Sequence, residues 1–147
     1  MDASDDPFNL GRFVEAQAKD YSRALTELRQ GKKKSHWIWY VLPQLRGLGN
    51  SSFSSIYGIG SAQEAAAYLA HPVLGPRLQE CVSAMNTLDG PSAEQILGPV
   101  DAAKFRSCLT LFLAVDPKNA GFNGALEKYF AGVPDEKSLA LLTQARH

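Results

Sequence analysis

Along most of this chain apolar residues recur at three- and four-residue steps, and helix start and stop residues punctuate the recurrence. This pattern constrains the fold more than any other feature, because that period lays a buried stripe on a helix and does not suit a strand. Phe13, Ala16, Ala24, Leu25 and Leu28 mark a first helix over Leu10–Leu28, with Arg29 in its last turn and Gly31 as its stop. Ser61-Ala62-Gln63-Glu64 reads as a capping box opening an alanine-rich helix to about Ala70. His71-Pro72 breaks it, and Pro72 suits the first turn of a helix through Leu88 that aligns Leu74, Leu78, Cys81, Val82 and Met85. Ser92-Ala93-Glu94-Gln95 is a second capping box, for a short helix ending at Gly98.

Asp101 then caps a strongly apolar helix through Val115, with Phe105, Leu109, Phe112 and Leu113 inward. It is expected to be the core spine, touching Phe13, Leu25, Leu78, Val82 and the Trp39 side of the aromatic segment. Helices at about Asn123–Phe130 and Pro134–Thr143 complete the chain. The expected architecture is all-α: one compact domain of about seven short helices over residues 9–145, behind an acidic tail at residues 1–8. Gly47–Gly60 is Gly/Ser-rich but carries Phe53, Ile56 and Tyr57, so it reads as one long structured loop packed on the domain.

The stretch Lys34-Ser35-His36-Trp37-Ile38-Trp39-Tyr40-Val41-Leu42-Pro43-Gln44 holds both tryptophans. Ser35 can N-cap a short helix from His36 to Leu42, ended by Pro43; the same residues also suit a buried strand. Helix is preferred because no partner strand is found. Aromatic walls beside a cation, a hydroxyl, an imidazole and an amide are the make-up of a small-molecule pocket. Lys34, Ser35, Trp37 and Gln44 are therefore candidate ligand contacts: Trp37 as a stacking wall and Gln44 as the reader of a polar edge, with Trp39 assigned to the core. Arg106 in an apolar helix needs a partner or a ligand anion, and Gln17 is a similar polar intrusion in the first helix. His36 is the candidate acid/base if chemistry occurs. His71 reads as a structural residue at a helix junction.

The sequence has 15 Lys+Arg and 15 Asp+Glu, so it lacks the overall positive charge of a non-specific nucleic-acid binder. Arg29, Lys32, Lys33 and Lys34 form one local basic run, which leaves a nucleic-acid partner disfavoured. Cys81 and Cys108 lie on apolar helical patterns without zinc-ligand spacing, so neither a metal nor a cofactor is expected. Met1-Asp2-Ala3-Ser4-Asp5-Asp6 has no apolar signal region, and Trp37–Leu42, the longest apolar run, is too short for a bilayer. The expected setting is the cytoplasm.

Several strings together resemble the DUF1810 family of small bacterial proteins. They are Phe13-x-x-Ala16-Gln17, Gly31-Lys32-Lys33-Lys34-Ser35-His36-Trp37-Ile38-Trp39, Pro43-Gln44-Leu45 and Gly47-Leu48-Gly49. They continue through Tyr57-Gly58-Ile59, Ala67-Tyr68-Leu69-Ala70-His71-Pro72-Val73-Leu74-Gly75 and Arg106-Ser107-x-Leu109-Thr110-Leu111-Phe112. The resemblance spans residues 7–143 and implies a compact all-α fold, while the family's function is unknown. Some members carry the label calpastatin, but calpain inhibitors of that name are long, disordered and repetitive, unlike this aromatic-rich chain. The functional expectation is a pocket for a nucleotide-like or ADP-ribose-like small-molecule anion. The alternative is a protein-interaction module with an aromatic and basic groove.

Overall fold

The computed structural model describes residues 6–145, so residues 1–5 of the expected acidic tail lie outside the described residues. Asp6 accepts from the N–H groups of Leu10 and Gly11 at 2.7 and 2.8 Å, meeting two donors at the start of the first helix. The fold is all-α. Among the described residues there are nine helices: α1 (Gly11–Gln30), α2 (Ile38–Val41), α3 (Ser52–Tyr57), α4 (Ala62–Ala70), α5 (Leu74–Thr87), α6 (Ala93–Leu97), α7 (Pro99–Val115), α8 (Ala120–Phe130) and α9 (Glu136–Ala145). None is long and apolar enough to cross a membrane.

The stop signals act as their chemistry dictates. Gly31 ends α1 with φ +78°, where a Cβ would be strained, and its N–H returns to the last turn. Ser92 and Gln95 form the full capping box of α6. Ser61 caps α4 through Glu64 N–H, but Glu64's own carboxylate turns to Gly60 N–H and to Arg12. His71 Nδ1 accepts from Val73 and Leu74 N–H, fixing the α4–α5 junction.

Three expectations need correction. Asp101 does not cap α7: the helix starts at Pro99 with Gly98 at its N-cap, so Asp101 lies inside the first turn. Gly47–Gly60 is not one loop: it contains α3, capped by Ser51, and it closes on itself through a single parallel bridge between Leu45 and Ile59. Arg46 N–H donates to Ile59 C=O at 2.8 Å and Ile59 N–H to Gln44 C=O at 2.9 Å. The aromatic segment is helical for only one turn, and Ser35 does not cap it, since Trp37 holds the N-cap position and the Ser35 hydroxyl goes elsewhere.

The core is an aromatic relay. Phe13 of α1 meets Tyr68 of α4 edge-on at 5.1 Å, Tyr68 meets Phe112 of α7 at 5.4 Å, and Phe112 meets Phe122 of α8 at 6.1 Å. All four rings are buried. The spine helix α7 therefore reaches Phe13 through Tyr68, while α1 packs mainly on α5 and α2. Cys81 and Cys108 are buried free thiols; burial pushes Cys81 up to about 12 and Cys108 higher still, so both stay protonated and inert. Phe112→Ala should open a cavity at the centre of the relay and cost about 3–5 kcal/mol, measurable by chemical denaturation.

Candidate functional site

The polar architecture around the aromatic segment starts at Glu27, in the last turns of α1. Its side chain is buried, and its Oε1 accepts from Lys34 N–H at 2.8 Å, Ser35 N–H at 3.0 Å and Trp37 Nε1 at 2.9 Å. Its Oε2 accepts from the Ser35 hydroxyl at 2.6 Å. Burial alone would raise the Glu27 pKa. The donors of Ser35, Lys34 and Trp37 outweigh it and hold the carboxyl at about 2. Next door, Lys33 Nζ pairs with Asp101 of α7 at 2.8 Å, and Lys33 N–H donates to Ile96 C=O at 2.7 Å. The run Lys33–Trp37 is thereby fastened to α1, α6 and α7 at once.

This arrangement reverses the roles expected of the two tryptophans. Trp37 is fully buried with its N–H on Glu27, so it has no face for a ligand. Trp39 is only partly buried: Phe53 stacks on it at 4.7 Å and Lys104 Nζ lies 4.9 Å from its ring centroid. Gln17 is also a core residue, 1% exposed. Its amide donates to Tyr40 C=O at 2.6 Å and Tyr68 OH at 3.2 Å, and accepts from Arg77 at 3.3 Å. Its polarity joins three elements of the scaffold and faces no cavity.

The remaining candidates fall into two neighbouring depressions that share Val100. Lys34, Ser35 and His36 line a groove of about 360 Å³ with Trp39 and the start of α7. Gln44 and Arg106 line a larger cleft of about 500 Å³. Its floor is the face of α7 bearing Val100, Ala103, Lys104 and Ser107; Leu48 and Gly49 form one wall and Val133–Lys137 the other. Arg106 is anchored through Nε to Val133 C=O at 2.8 Å, with its guanidinium 5.7 Å from the Phe130 ring centre. Among the described residues no carboxylate lies within ion-pair distance of Arg106. Lys104, 3.7 Å from Asp101, and Lys137 add positive charge to the same cleft. Asp135 and Glu136 also line it; Asp135 Oδ2 is engaged with the N–H and hydroxyl of Ser138.

Lys104 and Lys137 went unread in the sequence. The signal for Lys104 is the set Val100, Ala103, Lys104 and Ser107, a small and polar face at helical spacing on an otherwise apolar helix. Among the described residues no three metal-ligating side chains converge.

The fold and these residues define a helical domain of a recognisable kind: the chain belongs to the DUF1810 family, described as protein of unknown function, whose pattern matches residues 7–142. It is similar to the crystal structure of the conserved hypothetical protein Rv1873 from Mycobacterium tuberculosis, with 49% identity and a TM-score of 0.92 over 94% of this chain and 99% of that one. No curated protein matches the chain.

The pH dependence of stability should carry the mark of Glu27. Its folded pKa of about 2 lies below the ordinary carboxyl value of 4.5, so its contribution is complete above that value and is lost as pH falls toward 2. The shift corresponds to about 3 kcal/mol. Glu27→Gln should lower stability by about that amount at pH 7, with the gap to wild type closing under acid; denaturant titrations across pH test both.

Proposed function

We propose that the protein is a cytoplasmic small-molecule binder whose cleft takes a nucleotide-like or ADP-ribose-like anion. The observation that supports this most directly is Arg106: a guanidinium beside an open cleft, held by one backbone carbonyl, with no carboxylate against it among the described residues. Such a fork suits phosphate or carboxylate oxygens, and Lys104 and Lys137 add charge without competing for its geometry. Leu48, Val100, Val133 and Pro134 supply apolar walls, and Val100 and Val133 are 67% and 50% exposed, surface that a bound ring would cover. Gln44 supplies the amide for a polar edge. Lys34, Ser35 and His36 belong to the adjacent groove, so in this reading His36 acts as acid or base only on a ligand long enough to cross the Val100 ridge.

The interaction-module alternative expects a convex apolar face of Trp37, Tyr40 and Phe53. Trp37 and Tyr40 are buried, so these three residues do not form that face; Phe53 and Ile56 on α3 are exposed, beside the partly buried rings of Trp39 and Tyr57. The cleft reading is therefore the better supported of the two.

Thermal-shift titration with nucleotides, ADP-ribose and pyrophosphate tests the proposal. A ligand at a hundred times its Kd should add about 2.7 kcal/mol of stability. Arg106→Ala should abolish that response while leaving the free protein within about 0.5 kcal/mol of wild type, as expected of a half-exposed cation without an ionic partner. Absence of any shift across the panel counts against the reading.

A further inference from the structure

One hydrogen-bonding demand beside the cleft is unmet. Trp39 Nε1 is buried and has no partner among the described residues, a rare condition for an N–H group. The indole is held by Phe53, stacked at 4.7 Å, and by Lys104, 4.9 Å from its centroid. Trp39 lines a crevice of about 10 Å³ together with Gln44, Ser54 and Lys104. That space suits a single acceptor atom or one water molecule. Gln44 and Lys104 line both the crevice and the large cleft, so the two spaces adjoin. Gln44 is fixed through its backbone carbonyl, which accepts from Ile59 N–H, leaving its side-chain amide at the junction of the two spaces. Gly49 is required by the packing: a Cβ there would come within 2.3 Å of Ser54 Oγ and 2.9 Å of Ser54 Cβ, forcing this crevice-lining residue to shift. Among the described residues the other buried side-chain polar atom without a partner is Asn86 Oδ1, and Asn86 lines neither the cleft nor the groove.

We infer that this crevice is the reading subsite of the cleft, with Trp39 as its specificity-determining residue. Trp39 Nε1 donates to a carbonyl oxygen or ring nitrogen on a planar heterocycle of the bound anion, and Gln44 pairs with the neighbouring polar edge of that ring. The inference rests on the anion reading of the cleft and narrows it. Bare phosphates and sugar phosphates meet Arg106 and Lys104 but leave Trp39 unsatisfied, whereas a nucleobase-bearing anion engages both ends.

The chain has two tryptophans, so protein labelled with nitrogen-15 at tryptophan shows two indole signals. Trp37 donates to Glu27 and serves as the internal control, identified by its displacement in Glu27→Gln. Saturation with AMP or ADP-ribose should move the Trp39 signal and leave Trp37 in place; inorganic pyrophosphate should move neither. Trp39→Phe keeps a ring against Phe53 and removes the donor. It should weaken AMP binding about tenfold and leave pyrophosphate binding unchanged. A Trp39 signal that stays put when AMP is bound, or a Trp39→Phe protein that binds AMP as tightly as wild type, overturns the subsite and leaves a crevice holding water. Arg106-dependent pyrophosphate binding in that case preserves the anion reading, whereas failure of every probe to bind removes both. If Trp39→Phe does not fold, the titration of the wild type decides alone.

Discussion

A single buried carboxylate sets the geometry of everything around the aromatic segment. Glu27 draws two backbone N–H groups, a hydroxyl and an indole N–H onto two oxygens, so the chain leaving α1 folds back over the helix end. A charge in that position is tolerable only because every lone pair facing the protein is met. The consequence is an alternation that no local propensity would impose. Lys33 and Trp37 are drawn inward, while Lys34 and His36 are left exposed. Without that anchor the one-turn α2 would have little to hold it, since four residues cannot sustain a helix by their own hydrogen bonds.

The cleft depends on this anchor at one remove. Lys33 on Asp101 ties the folded-back segment to the first turn of α7, whose Val100–Ala103–Lys104–Ser107 face becomes the cleft floor. The Leu45–Ile59 bridge lies between Gln44 and the Leu48–Gly49 wall, fixing the chain that lines this side of the cleft. Three separate stretches of chain thus meet around α7. Two of the cleft's cations stand on α7 itself, Arg106 held by the Val133 carbonyl and Lys104 by the Trp39 ring and Asp101, and neither depends on the other for position.

The helical scaffold was legible because its signals are local. Apolar spacing and the residues that begin and end helices lie within a turn or two of where they act, and α1, α4 and α6 follow them closely, while α5 begins at Leu74, past Pro72, and α7 at Pro99, ahead of Asp101. α3 escaped notice because it is one and a half turns long and presents Phe53 and Ile56 outward, the reverse of the usual stripe. The tryptophan roles were misassigned for a different reason. A two-residue spacing says that Trp37 and Trp39 diverge, but only Glu27, ten positions before Trp37, decides which turns inward. Ser35 is concealed in the same way: a serine before an apolar run looks like a cap until a distant carboxylate takes its hydroxyl. The site was legible residue by residue and not as a set, since Gln44 and Arg106 share a cleft only through tertiary packing.

The polar contacts of α1 have an order of their own. Glu27 closes onto residues seven to ten positions away, Gln17 onto Tyr40 at 23, and Arg12 onto Ile56, Gly58 and Glu64 at 44, 46 and 52. The Glu27, Gln17–Tyr40 and Arg12 closures are nested, each inside the next, whereas the bonds of Gln17 to Tyr68 and Arg77, at 51 and 60 positions, reach past the Arg12 loop. Closing the inner loop shortens the effective length of the next, so the entropic toll of the longest contact is met in instalments. The N-terminal half of the chain can therefore assemble outward from the end of α1, with folding-transition-state φ-values that decline from Glu27 through Gln17 to Arg12 as the signature of that sequence.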